Sequence, residues 1–337
     1  MNGLKVAAGL GLGLLLTAQA AMAGSVARST HAAVVSDSPQ ATQAALSVLR
    51  AGGNAIDAAV TIAFVLGVVH PHSGAVGGGG FLMFYEAEKG AVWSLDFRET
   101  APSMATTGNG PAASGGVPGT IAGLHAMHAR FGSRPWRELL QPSIALARDG
   151  VRIEPPLGSA LTPAVARALN VAAQGASELR QPKMALFLER LAAHGAGDFY
   201  RGRLADQFVS EVRKSGSSIS HRDLRNYQAV WRAPIRIRFR GDEVYAPPPP
   251  SGSGVVMAQL LAILEGSDLS RSLESAPGLH LFAEASRRAF IDRDRFVADP
   301  STSRIAYREL LSAERASVWR SSIRPERVTP TASLVVP

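Results

Sequence analysis

Arg98 ends an alternating run, with Asp96 two residues before it and Glu99, Thr100, Ala101 and Pro102 after it. A guanidinium held rigidly at a strand end can grip a carboxylate through two parallel N–H bonds, which an ammonium cannot match. The same residues also allow an internal ion pair, with Asp96 on the same strand face or with Glu99. Four consecutive glycines, Gly77–Gly80, precede the run and let the backbone approach something closely. No Lys-Ser/Thr follows them, so they are not a phosphate loop; the strand comes after them, so they are not a dinucleotide fingerprint. A close-packed turn and a ligand-facing loop both fit. His70 with His72, and His125 with His128, have metal-like spacing, but no nearby acid or thiol completes a set. Ser251 and Ser253 lack the flanks of a nucleophile elbow and read as a helix entry. Arg98 is the candidate site residue; neither a metal nor a cofactor is expected.

These residues need elements to hold them. Ser38 and Pro39 start a helix that runs to Leu49 and ends at Gly52-Gly53. Asn54 caps a second helix, Ala55–Val69, apolar on nearly every side and therefore interior; Pro71 stops it. Phe81–Tyr85 and Ala91–Arg98 flank Glu88-Lys89-Gly90 as a hairpin, with Ser94, Asp96 and Arg98 on one face and Leu95 and Phe97 on the other. His31–Ser36 reads as an opening strand. Helices are expected near Ile121–Arg130 and Trp136–Arg148, beyond a Gly/Ala/Ser-rich loop at Thr106–Gly116. The alanine-rich stretch Pro155–Gly197 is mostly helical. Ile235, Ile237 and Phe239 alternate with Arg236, Arg238 and Arg240, the arginines being the wet face of a strand. Gly241-Asp242 turns that strand into Glu243–Tyr245. After Pro247–Pro250 come helices ending at Leu264 and spanning Leu279–Phe296. Strands and helices do not alternate regularly, so the class is a layered α+β arrangement.

Composition sets the outer limits. With 46% hydrophobic and 18% charged residues, the 337-residue chain can bury a sizeable core. The formal charge of +8 is spread along the chain as arginine, without an aromatic-flanked basic cluster, and nucleic acid is not an expected partner. Lys5, the apolar stretch Val6–Leu16, and Ala21-Met22-Ala23 ahead of Gly24 make residues 1–23 a secretory signal peptide. The chain is thus expected to be exported, to the periplasm or beyond the cell, with no membrane span once mature. It has no cysteine, which excludes thiol catalysis.

Several blocks together resemble the γ-glutamyltransferase (glutathione hydrolase) family. They are Arg50-Ala51-Gly52-Gly53-Asn54-Ala55-Ile56-Asp57-Ala58-Ala59, Pro71-His72-Ser73-Gly74 leading into Gly77–Gly80, and Leu95-Asp96-Phe97-Arg98-Glu99-Thr100-Ala101-Pro102. Gly116-Val117-Pro118-Gly119-Thr120, Gln141-Pro142, Phe199-Tyr200, Asp223-Leu224 with Tyr227, and Ala283-Glu284-Ala285 with Arg287-Arg288 follow in order. The resemblance implies the large-subunit part of an N-terminal-nucleophile hydrolase, a four-layer αββα sandwich, over residues 24–337. It implies self-cleavage that frees a threonine nucleophile, with glutathione or another γ-glutamyl donor and water, an amino acid or a dipeptide as acceptor. It also assigns Arg98 the α-carboxylate of the glutamyl group. The family's Thr-Thr-His cleavage block is absent, and Thr329 and Thr331 are not followed by its strand. The chain is therefore expected to be a truncated or split precursor, without a catalytic residue of its own, inactive until its missing small subunit is supplied. A β-lactam side-chain acylase of the same family and a non-catalytic periplasmic binding fragment are the alternatives.

Overall fold

The computed structural model describes residues 28–73, 76–104, 115–153, 155–169, 171, 177–265, 267, 275–300 and 307–334. The expected signal peptide, and the Gly/Ala/Ser-rich stretch up to residue 114, lie outside the described residues. The elements begin with helices α1 (Pro39–Arg50) and α2 (Ala55–Val69), then strands β1 (Phe81–Glu86) and β2 (Ala91–Asp96). Helices α3 (Thr120–Phe131) and α4 (Trp136–Asp149) follow, then β3 (Val151–Arg152), α5 (Pro155–Ala160), α6 (Pro163–Ala168) and β4 (Glu178–Leu179). Next come helices α7 (Pro182–His194), α8 (Ala196–Arg201), α9 (Arg203–Lys214) and α10 (His221–Asn226), and strands β5 (Val230–Arg232), β6 (Ile235–Phe239) and β7 (Asp242–Ala246). Helices α11 (Gly252–Leu264), α12 (Ala276–Phe296), α13 (Tyr307–Leu310) and α14 (Ala313–Ser321) complete the order.

The Asn54 carboxamide oxygen accepts the N–H groups of Ile56 (2.9 Å) and Asp57 (3.0 Å), while the Asp57 carboxylate accepts the Asn54 N–H (2.9 Å). This reciprocal cap satisfies the exposed end of a helix whose Phe64, Val65 and Val68 are fully buried. Asp57 also accepts the N–H and hydroxyl of Ser133, tying α2 to the turn between α3 and α4. Burial would raise its carboxyl, but these hydrogen bonds outweigh that effect and lower it.

β1, β2 and β5 form one antiparallel sheet in that order, registered Phe81↔Asp96 and Leu95↔Trp231. Leu82, Phe84, Leu95 and Trp231 face the main core; Met83, Ser94, Asp96 and Arg232 share the other face. The β6–β7 hairpin buries Ile235 and Ile237 against Val255 and Ala258 of α11 and leaves Arg236, Arg238 and Arg240 exposed, as the alternation predicts. His31–Ser36 forms no strand: among the described residues no strand pairs with it, and Val35 is exposed. The small β3–β4 ladder, Val151↔Leu179, joins segments too short to show a period.

Helix α12 turns charge inward. Asp292 is buried and accepts from Gln259 (2.6 Å), Trp319 (2.8 Å) and Arg315 (2.9 Å). Glu284 and Arg288, also buried, pair at 2.7 Å one turn apart. Together they hold the segment after α14: Glu284 accepts the Thr329 N–H (3.3 Å), and Arg288 donates to the Thr329 hydroxyl (3.2 Å). Arg287 reaches Thr331 (2.9 Å), and a His280 ring nitrogen bonds the Arg324 carbonyl (2.8 Å). Residues 324–331 are thereby strapped along one flank of α12.

Candidate functional site

The site is built outward from Phe97, the last core residue before Arg98. Its N–H donates to the Gly80 carbonyl (3.0 Å), and the Gly80 N–H returns a bond to the Phe97 carbonyl (3.2 Å). A methyl group on Gly79 would stand 2.7 Å from the Glu99 nitrogen and 2.9 Å from the Arg98 carbonyl carbon. The glycine run is thus a bed on which the backbone from Phe97 to Glu99 lies, which supports the close-packing reading at Gly79 and Gly80. Gly119, at the start of α3, approaches the same Phe97 carbonyl, and its N–H donates to Gly78 (2.8 Å).

Two tyrosines hold the far side. The Tyr227 hydroxyl donates to the Arg98 carbonyl at 2.8 Å, and its ring stacks on Tyr200 with centroids 5.7 Å apart. Tyr200 donates to the Pro118 carbonyl (2.8 Å) and accepts the Ala122 N–H (3.1 Å). Burial pushes both phenols up, so both stay protonated donors. Further along, Thr100 bridges to Val117, and the Ser103 N–H donates to Asp223 (2.9 Å), the acid of a cap that begins α10. Burial raises the Asp223 carboxyl, but hydrogen bonds from Ser220 and Ser103 prevail and hold it at about 2.

Asp96 does not pair with the Arg98 side chain. One of its oxygens accepts the Arg98 backbone N–H (3.0 Å), and the other takes Arg232 Nε (2.9 Å). The Arg98 side chain is 58% exposed, with the Glu99 carboxylate 3.5 Å from its guanidinium. A hydrogen-bonded backbone therefore carries an accessible cationic head. That head borders a cavity of about 160 Å³ lined by Asp96, Glu99, Tyr227, Arg232 and Asp299 as well as Arg98. A larger cavity of about 810 Å³, walled by Phe187, Phe199 and Phe208, lies among the helices and does not include Arg98.

The other candidates take structural places. His128 bonds the Arg134 carbonyl (2.7 Å), and His125 packs edge-on against Trp136. The His70 and His72 rings lie 5.5 Å apart. Among the described residues, no group of three or more His, Asp or Glu is placed to hold a metal. The Ser251 and Ser253 hydroxyls bond each other at 2.7 Å. Sequence reasoning assigned no role to Tyr227, Tyr200 or Arg232. The Ser220-x-x-Asp223 cap could have marked α10; nothing local marks Arg232.

Tyr227→Phe is expected to cost about 1–2 kcal/mol, because it leaves the Arg98 carbonyl without its donor. Arg98→Ala, with its side chain largely in solvent, should stay within about 0.5 kcal/mol of the parent. Urea unfolding of the two variants checks the contrast; equal losses would contradict it.

A family profile described as Gamma-glutamyltranspeptidase matches residues 41–336. The chain is 35% identical over 324 residues to the glutathione hydrolase proenzyme of Pseudomonas aeruginosa, covering 89% of this chain and 58% of that protein. It is 35% identical to the Acylase ACY 1 proenzyme of a Pseudomonas species (strain SE83), covering 87% of this chain and 58% of that one. The chain thus spans less than two thirds of the length of these curated relatives. The solved γ-glutamyltranspeptidase of Pseudomonas nitroreducens, complexed with L-DON, superposes with a TM-score of 0.85 at 32% identity. That match covers 91% of this chain and 98% of the solved one. The architecture is the α+β, N-terminal-nucleophile hydrolase fold of that structure. Among the described residues, no helix is long and apolar enough to cross a membrane.

Proposed function

Because the chain belongs to the γ-glutamyltranspeptidase family, we propose that it supplies the carboxylate-gripping part of an enzyme that transfers or hydrolyses γ-glutamyl groups. The observation that carries this reading is Arg98: its backbone is fixed from three sides, Asp96 is engaged elsewhere, and its guanidinium is left accessible. Arg98 takes the α-carboxylate of glutathione or another γ-glutamyl donor through paired N–H bonds. The attacking group is a threonine carried by residues outside this sequence and freed by self-cleavage. Its oxygen bonds to the γ-carbonyl carbon, its proton passes to its own amine, and the leaving amine departs with that proton. Water, an amino acid or a dipeptide then takes the glutamyl group and restores the hydroxyl. The work is done after export, outside the cytoplasm.

The test uses a γ-glutamyl anilide. The lone chain is expected to release no anilide, and to do so once the polypeptide equivalent to the relatives' remaining residues is added. Hydrogen bonds to charged groups contribute about 1.5–3 kcal/mol, so Arg98→Ala in the completed enzyme should lower kcat/KM roughly 10- to 100-fold. Turnover by the lone chain, or an unchanged kcat/KM, would sink the reading. The 35% identity to an acylase proenzyme favours a second reading, action on β-lactam side chains. A completed enzyme that cleaves a glutaryl amide as well as a γ-glutamyl amide would select it, since only the γ-glutamyl reading needs the α-amine.

A further inference from the structure

Helix α12 buries one side and carries large exposed apolar side chains on another. Ala285 and Ala289 face inward, together with the buried charges Arg288 and Asp292. At about 100° per residue, Leu279 and Phe290 point within about 20° of each other away from the core, and Phe282 lies about 60° round from Leu279, next to the buried Ala289. Leu279, Phe282 and Phe290 are 56%, 43% and 47% exposed, and Ala283 on the same side is exposed as well. Large apolar side chains aligned along one helix face and left in water mark a contact surface. The strap at residues 324–331 lies on the flank of the helix, where His280, Glu284, Arg287 and Arg288 tie it, so it does not cover the stripe.

The lengths of the relatives supply an occupant for it. This chain covers 58% of the Pseudomonas aeruginosa proenzyme but 98% of the solved Pseudomonas nitroreducens chain. Its equivalent therefore occurs as a polypeptide of its own, and about two fifths of the longer relative lies outside the match. A second copy of this chain is a poorer occupant, because a formal charge of +8 on each copy opposes their association.

We propose that Leu279, Phe282 and Phe290 on α12 seat the polypeptide equivalent to the relatives' remaining residues. The proposal rests on the family reading above and adds the surface by which the two parts meet. The probe is the part of the Pseudomonas aeruginosa proenzyme beyond the matched region, mixed with the purified chain and followed by sedimentation. Phe282→Glu and Phe290→Glu should each weaken the complex at least about 10-fold, with unchanged melting temperatures because both side chains are exposed. Leu186→Glu, at a comparably exposed position on α7, should leave affinity unchanged. The assignment is overturned by no complex with the parent chain, by phenylalanine variants that bind normally, or by an equal loss at Leu186. A homodimer that Phe282→Glu disperses would overturn it too. Anilide turnover by the same mixtures keeps the two ideas apart. Turnover with normal binding by the phenylalanine variants rejects the stripe alone; stripe-dependent binding without turnover rejects the proposed activity alone.

Discussion

Gly119→Ala is expected to destabilise the chain by about 3 kcal/mol or more, visible as a large drop in the urea midpoint. The added methyl would overlap the Phe97 carbonyl oxygen and the Tyr227 hydroxyl, and would stand 2.8 Å from the Phe97 carbonyl carbon. Overpacking usually costs about 1–3 kcal/mol because neighbours give way. Here neither neighbour is free to move. The Phe97 carbonyl is bonded to Gly80, the Tyr227 hydroxyl to Arg98, and Gly119 itself to Gly78. Gly77→Ala is the control from the neighbouring glycine run, since nothing lies within 4 Å of its added methyl. A midpoint for Gly119→Ala close to that of Gly77→Ala would show that the strand end is softer than its hydrogen bonds imply.

The second large effect lies in α12. Arg288→Ala removes the partner of a buried carboxylate, a change that typically costs about 3–5 kcal/mol, and it also releases Thr329 from its side-chain donor. The pH dependence follows from Glu284. Burial raises its carboxyl, but bonds from Thr329, Arg288 and Arg287 prevail and lower it from 4.5 to about 2. A carboxyl lowered on folding stabilises the folded state above its unfolded pKa, and that stability is lost as the pH falls from about 4.5 towards 2. Asp223 titrates over a similar range, from 3.8 to about 2. Glu284→Gln should therefore flatten part of the acid-induced loss and leave the Asp223 share. Stability against pH, measured with parent and variant, decides this. An unaltered acid slope in Glu284→Gln would mean that Glu284 is not held low.

Local chemistry made much of this legible. The Asn54 cap, the all-round apolar α2, the hairpin around Glu88-Lys89-Gly90 and the arginine alternation on β6 are each written within a dozen or so residues. Arg98 could be singled out because a strand end and an acid-flanked arginine are both local signals. Its surroundings could not. Arg232 meets Asp96 across 136 positions and Tyr227 meets Arg98 across 129, and neither pairing leaves a trace in spacing. His31–Ser36 failed for the converse reason: strand-like residues make no strand without a partner. Helix α9 is also written locally: Leu204, Ala205, Phe208, Val209 and Val212 carry the helical period.

The Phe97 backbone also has a meaning for sequence drift. Gly79 and Gly119 lie far apart in the chain, yet both press on that one peptide unit. A lineage that lost either glycine would have to move Phe97, and the second glycine would then guard a position already abandoned. The two losses should be epistatic, the pair costing less than the separate costs combined. Homologues would then keep both glycines or neither, and those keeping neither would hold the arginine that follows Phe97 by some other means.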